Sequence, residues 1–407
     1  MTIQTTTRTR TRKSLLLGLG LGVALAGVVA LGSVTRQADA AITEKIFFAS
    51  DRTTGVNNPT GDFEIFRMNA DGTGVRQLTT NKADDFGPVL SPDKTKVAYH
   101  SYGSQTSNPE GEFEIYLMNA SDGTGKKNLT NNDADVSDYN PLFSPGGKKV
   151  VYTSSGERAS NPEGDAEVYV MSAPDGTARK NLTNNGVEVP GEDPVQDYAS
   201  DFSPTGGKIA YVSYGKQSSN PEGDLEVYRM TALDGSARKN LTHNGDGLDD
   251  GYAVFSPDGN TIAYESSGDQ TYNSEGDKEI YRMNTLDGTG KKNLTHNGAG
   301  VNDSYPAFSP GGKRIAYHSD GRQDSNLEGD YEVYSMSALD GMGQKNLSNN
   351  GEDVDDDYPF FSSDGTRIFY ESEGAQGNNE IYRMNTLDGT GKKNLTDNAA
   401  IDVVYPD

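Results

Sequence analysis

From residue 46 onward, apolar side chains fall two apart within short runs, and clusters of polar turn residues separate the runs. The stretch Asp303 to Ser348 shows the pattern in full, with the runs YPAFS, KRIAYHS, YEVYSMS and QKNLS, here called A, B, C and D. In B, Ile315 and Tyr317 stand two apart, the spacing that puts side chains on one face of a strand. SPGG or SPDG separates A from B, a long polar loop separates B from C, and LDGTG or LDGMG separates C from D. Beyond residue 40 no stretch holds a helical period with caps, so helix is expected to be nearly absent.

The unit repeats. Its D end recurs at Leu78, Leu129, Leu182, Leu241, Leu294, Leu347 and Leu395, spaced by 51, 53, 59, 53, 53 and 48 residues. The long interval holds an inserted loop, NNGVEVPGEDPVQDY, between D and A. A period of this length with four strands per repeat predicts an all-β, seven-bladed propeller of four-stranded antiparallel blades. The first B run, Ile46 to Ser50, has no A run of its own. In complete blades the A phenylalanine precedes the B aromatic by nine residues, as Phe308 precedes Tyr317, and nine before Phe48 is Asp39, inside an N-terminal leader. The ring is therefore expected to close through the C-terminal segment, Asp402 to Asp407, lying beside Ile46 to Ser50.

These residues resemble the WD-repeat-like propeller of the TolB type, on FSPDG at Phe255 to Gly259, IAY at Ile262 to Tyr264 and EIYRM at Glu279 to Met283. The resemblance runs over nearly all of residues 46 to 407 in seven copies. It departs at the Trp common before Ser-Pro in that family, which is Phe or Leu here, and the chain has no Trp. TolB itself carries an α/β domain ahead of its propeller. The sequence leaves no room for one between the leader and Ile46, so TolB's role in an envelope complex is not expected to transfer.

Arg8, Arg10, Arg12 and Lys13, an apolar run from Leu15 to Val34, and the small-residue site Ala38-Asp39-Ala40 read as a secretory signal peptide over residues 1–40, with the propeller over 41–407. An uncleaved anchor is the alternative. Export to the periplasm or the extracellular space follows, with no stable membrane insertion once the leader is removed. With no Cys, the chain forms no disulfide, thiolate metal site or lipidated cysteine. The formal net charge is -24, and removing the leader takes away more basic than acidic residues. Nucleic acid is excluded as a partner on that charge, because binding a phosphate backbone depends on Lys and Arg.

Aromatic residues recur in every B run (Phe48, Tyr99, Tyr152, Tyr211, Tyr264, Tyr317, Tyr370) and every C run (Phe66, Tyr116, Tyr169, Tyr228, Tyr281, Tyr334, Tyr382). Residues present in all copies are expected to pack blade on blade, with sugar stacking as the alternative. The recurring C-run glutamates (Glu64, Glu114, Glu167, Glu226, Glu279, Glu332, Glu380) are expected to be structural in the same way, and opposite Lys or Arg on a neighbouring strand each would form a cross-strand pair. The NLT and NLS triplets match a glycosylation acceptor, but they coincide with D and follow from the repeat.

In an antiparallel meander the B-C and D-A loops share one face, and the A-B and C-D turns share the other. SNPEGD-type B-C loops and D-A loops such as NNGEDVDDD make the first face acidic, while pairs such as Lys126-Lys127 and Lys291-Lys292 belong to the second. Six residues before the Ser that closes each A run stands an Asp: Asp85, Asp138, Asp197, Asp250, Asp303 and Asp356. These are expected to ring the channel mouth, either ordering their loops or offering hard oxygen ligands to Ca²⁺ or a basic partner. The four histidines, His100, His243, His296 and His318, are expected at exposed strand ends. Neither G-x-S-x-G nor HExxH occurs. The function expected is an exported, monomeric, non-catalytic scaffold binding a protein, glycan or cation through its acidic face. The alternative is a secreted polysaccharide lyase or hydrolase using channel-mouth carboxylates.

Overall fold

A computed structural model describes residues 44–405 except 133, 187–190, 246, 269–272, 323–325, 352–353 and 374–376. The leader, the boundary at residue 40, part of the inserted loop and the last two residues lie outside the described residues. Strands form seven four-stranded antiparallel sheets, and no helix occurs among the described residues. Blade 6 is representative: Asp303–Phe308, Arg314–Ser319, Glu332–Ser337 and Lys345–Asn346 are hydrogen-bonded in that order. The outermost strand is only two residues long, shorter than the D run suggests. Its leucine leaves the ladder: Leu347 is buried, and its N-H donates to the Val333 carbonyl at 2.8 Å.

The core consists of layers between blades. Tyr317 and Tyr334 are register partners with centroids 5.7 Å apart, and they pack with Val254, Ala263 and Ile280 of blade 5. Such a ring pair adds about 0.5–1.5 kcal/mol beyond its buried area. The repeated aromatics therefore serve the packing role that their recurrence implies.

Blades are also clasped at the C-D turns. Lys292 Nζ donates to the Asp340 carbonyl of the next blade at 3.0 Å. Gly341 follows with φ +77, and a Cβ there would stand 2.0 Å from the Leu294 carbonyl oxygen of blade 5. Left-handed backbone and close approach both demand glycine. Gly341→Ala should therefore lower unfolding free energy by about 2 kcal/mol or more. Urea titration followed by circular dichroism reads the change, and an unaltered midpoint would contradict the clasp.

The ring closes as expected. Phe48, Ala49 and Ser50 pair with Val404, Val403 and Asp402, so the C-terminal strand Asp402–Val404 is the inner strand of blade 1.

Candidate functional site

Each aspartate of the predicted ring is the first or second residue of the inner strand of its blade, but its side chain turns inward. Asp85, Asp138, Asp197, Asp250 and Asp303 are wholly buried and Asp356 nearly so. In blade 6, Asp303 lies opposite Ser319 and accepts a hydrogen bond from Asn297 Nδ2 at 2.7 Å. The backbone N-H of Asn297 donates to Glu279 of blade 5 at 3.1 Å, and Thr295 Oγ1 donates to the same carboxylate. One loop thus ties the Glu of one blade to the Asp of the next. The arrangement recurs at Glu114, Glu167, Glu226 and Glu332, and the seam adds Glu380, Asn398 and Asp402; between blades 1 and 2, Asn81 bonds Asp85 while the Glu64 carboxylate is buried without a hydrogen bond among the described residues. Asp402 is the seventh aspartate. Alignment on FSP misses it, because the C-terminal segment lacks that turn.

Burial, followed by the facing carboxylate, raises the affinity of these acids for protons. Glu64 is pushed up to about 9, Glu167 to about 8 and Asp356 to about 8. Asp303 is raised well above the usual carboxylate range. Each pair is a latch inside the wall. Among the described residues, no three His, Cys, Asp or Glu side chains are grouped so as to hold one metal ion.

Two sequence expectations need correction. The C-strand glutamates do not meet Lys or Arg: Glu279 faces Ser266 in register and is bonded by Thr295 and Asn297, because its strand end is covered by the D-A loop. His243 and His296 are exposed, but His100 and His318 are buried. Rings enclose both, from blade 2 itself at His100 and from blades 6 and 7 at His318. His100 lies against Phe86 and Phe113, and burial pushes it down to about 3, so it is neutral.

The positions that differ between blades tell more than the constant ones. In blades 2, 3, 5, 6 and 7 the inner strand bulges two residues after the ring aspartate with positive φ there, whereas in blade 4 the register shifts after Ala199, whose φ is not positive. Blades 2 and 3 place Gly87 and Asn140 there, which tolerate that conformation; blades 5, 6 and 7 place Tyr252, Tyr305 and Tyr358, with φ of 45, 56 and 50. A bulky residue in this region costs on the order of 1–3 kcal/mol, and such strain gathers at functional sites. Tyr252 and Tyr305 have ring centroids 4.0 Å apart and hydroxyls 2.5 Å apart. Tyr358 meets Tyr305 edge-on at 4.6 Å. His318 lies 4.9 Å from Tyr305 and 5.0 Å from Tyr331, and its Nδ1 is 3.0 Å from Asp357 Oδ1. Together with Lys278, Asn302 and Ser304, these residues line a cavity of about 410 Å³.

The cavity opens on the face of the B-C and D-A loops. Lys278 at its edge is engaged by Glu265 at 2.9 Å. Burial pushes Tyr252 and Tyr331 up to about 12, so both phenols stay protonated and can donate. Residues repeated in every copy do not mark this site, because its lining differs from blade to blade. Comparing the copies at the bulge position would have found it.

The surrounding loops are built by their own repeat. In the B-C loop of blade 3, Asn161 Nδ2 donates to the Asp165 carbonyl at 2.6 Å, and Asn161 Oδ1 accepts from the Gly164 N-H. The same pair of bonds recurs at Asn108, Asn220, Asn273 and Asn326. The asparagine holds the loop and the glutamate beside the glycine points out, so Glu110, Glu163, Glu275 and Glu328 are exposed.

No protein-family model matches the chain. A TolB homologue from Chlorobaculum tepidum is 31% identical over 145 residues, covering 36% of this chain and 30% of the relative. The chain thus spans under a third of that relative's length. The oligogalacturonate lyase of Vibrio parahaemolyticus superposes with a TM-score of 0.58 at 15% identity, covering 83% of this chain and 85% of that one. The β-propeller domain of the trilobed protease from Pyrococcus furiosus gives 0.57 at 13% identity, covering 90% and 97%. At such identities these two likenesses speak for the fold alone. The chain is thus a ring of seven four-stranded blades that is similar in sequence, over part of its length, to TolB homologues.

Proposed function

We propose that the chain is an exported, non-catalytic binding scaffold, freed of residues 1–40, that holds a basic protein segment on its B-C and D-A face. The carrying observation is the set of exposed glutamates Glu110, Glu163, Glu275 and Glu328, presented by one loop design on the same face of blades 2, 3, 5 and 6, with Glu222 of blade 4 half-exposed between them. Their potential adds to a net charge that is -24 with the leader and more negative without it, and steers cationic partners from beyond contact distance. The rigid ring supports this reading, since the asparagine brackets fix each loop before any partner arrives and reduce the entropy lost on binding.

The test uses a decapeptide of alternating Lys and Gly as probe. Reversing the four glutamates together (Glu110→Lys, Glu163→Lys, Glu275→Lys, Glu328→Lys) should slow stopped-flow association about tenfold or more at low salt, with a smaller effect on dissociation. Raising the salt should bring the two proteins together, because the Debye length contracts from about 30 Å at 0.01 M to about 3 Å at 1 M. Equal association rates at low salt would defeat the reading.

A further inference from the structure

The tyrosine cavity of blades 5 to 7 calls for an occupant. Its three bulge tyrosines stand where blades 2 and 3 manage with Gly87 and Asn140. Closing the ring therefore does not require them. Their phenol rings are edge-on or inclined to one another, Tyr305 to Tyr358 at 82° and Tyr252 to Tyr305 at 43°, so they do not stack flat and each keeps part of its ring surface in the cavity lining. The electrostatics select the sign of the guest. Lys278 is engaged by Glu265, and Asp357 stands in the lining. Asp320 and Asp355 lie close to Tyr331 at the rim. Ring faces are negative as well, so π-systems and carboxylates favour the same charge.

We propose that this cavity receives a guanidinium group, the side chain of an arginine carried by the basic segment. The proposal rests on the reading of the acidic face given above and names where on that face the anchor sits. A guanidinium is planar and weakly hydrated: it can stack on a tyrosine ring while its N-H fork engages a carboxylate such as Asp357 and neighbouring phenol oxygens. An ammonium is a compact, strongly hydrated point charge that uses a flat aromatic wall less well. A volume of about 410 Å³ accommodates the guanidinium with its methylene stem.

The experiment titrates the chain with N-acetyl-argininamide, its neutral isostere N-acetyl-citrullinamide, N-acetyl-lysinamide and maltotriose, following tyrosine ring resonances by NMR. Argininamide should bind at least tenfold more tightly than citrullinamide and more tightly than lysinamide. Asp357→Asn should weaken it about tenfold and Tyr305→Ala more. Asp357→Asn keeps the shape of the side chain, and thermal melting of both variants separates a lost site from a lost fold. Citrullinamide binding as well as argininamide, a well-folded Asp357→Asn chain binding unchanged, or maltotriose displacing argininamide would each overturn the proposal. The glutamate reversals of the preceding test leave the cavity lining intact. A failure of rim steering with argininamide still bound is therefore distinct from a failure of the cavity.

Discussion

Acidification from pH 8 to pH 5 should stabilise this protein, with the melting temperature rising by roughly 5–10 °C. The expectation comes from the carboxylate latches between blades. Burial raises Glu64 to about 9, Glu167, Asp250 and Asp356 to about 8, and Asp197, Glu114 and Glu279 to about 7, and the facing acid adds to it at Glu64, Glu167, Asp250, Asp356 and Glu114. In the unfolded chain such groups titrate near about 4. Between about 4 and each raised value the folded ring holds a proton that the unfolded chain has released, so stability falls as pH rises through that window. Each retained proton contributes a slope of about 1.4 kcal/mol per pH unit. His100, pushed down to about 3, works the other way below about 6.5, but it is one group against several latches. The aspartates of the C-D turns, such as Asp287, are held low by Thr289 and lose their contribution only at more acid pH. Melting curves at constant ionic strength and pH 5, 6, 7 and 8 measure the effect, and the neutral isosteres Glu279→Gln and Asp303→Asn should flatten it. A melting temperature that is level or rises with pH would show that the latches do not share protons.

How far the sequence could be read depended on whether a property was periodic or came from a neighbouring blade. The strand count, the shared face of the B-C and D-A loops and the missing inner strand of blade 1 followed from spacing, because each blade repeats the same turn chemistry. The position of Asp303 at the start of an inner strand was likewise legible. Its burial was not: the residues that enclose it, Asn297, Thr295 and Glu279, belong to the preceding blade, and a polar loop reads as exposed. His318 failed for the same reason, since Tyr358 and Asp357 reach it from blade 7. The tyrosine cavity escaped because recurrence identifies what builds the wall, while a site must break the symmetry of the ring. Tyr252, Tyr305 and Tyr358 break it where Gly87 and Asn140 keep the bulge unstrained.

Removing residues 401–407 should destabilise the whole ring and turn the protein toward self-association. Blade 1 owes its inner strand to Asp402–Val404, which pairs with Phe48, Ala49 and Ser50. Asp402 is buried and bound by Arg52 Nη2 at 2.6 Å and Asn398 Nδ2 at 2.6 Å. The Ile401 N-H donates to Asp51 Oδ1 at 2.8 Å, and the Val404 N-H donates to Glu371 of blade 7 at 2.8 Å. The deletion would leave Arg52 facing the gap, strip Val404 from the cluster of Phe48, Phe66 and Phe369, and expose the ladder edge of Phe48 to Ser50. Truncating a buried ion pair on one side alone costs about 3–5 kcal/mol, and an open strand edge is a template for pairing with another chain. We expect a melting temperature lower by roughly 5–10 °C and concentration-dependent dimers in sedimentation velocity. The single change Asp402→Asn, which keeps the strand and removes the charge facing Arg52, should produce part of the stability loss without dimers. A truncated chain that melts like the full one and sediments as the same species would show that the seam is closed by contacts other than this strand.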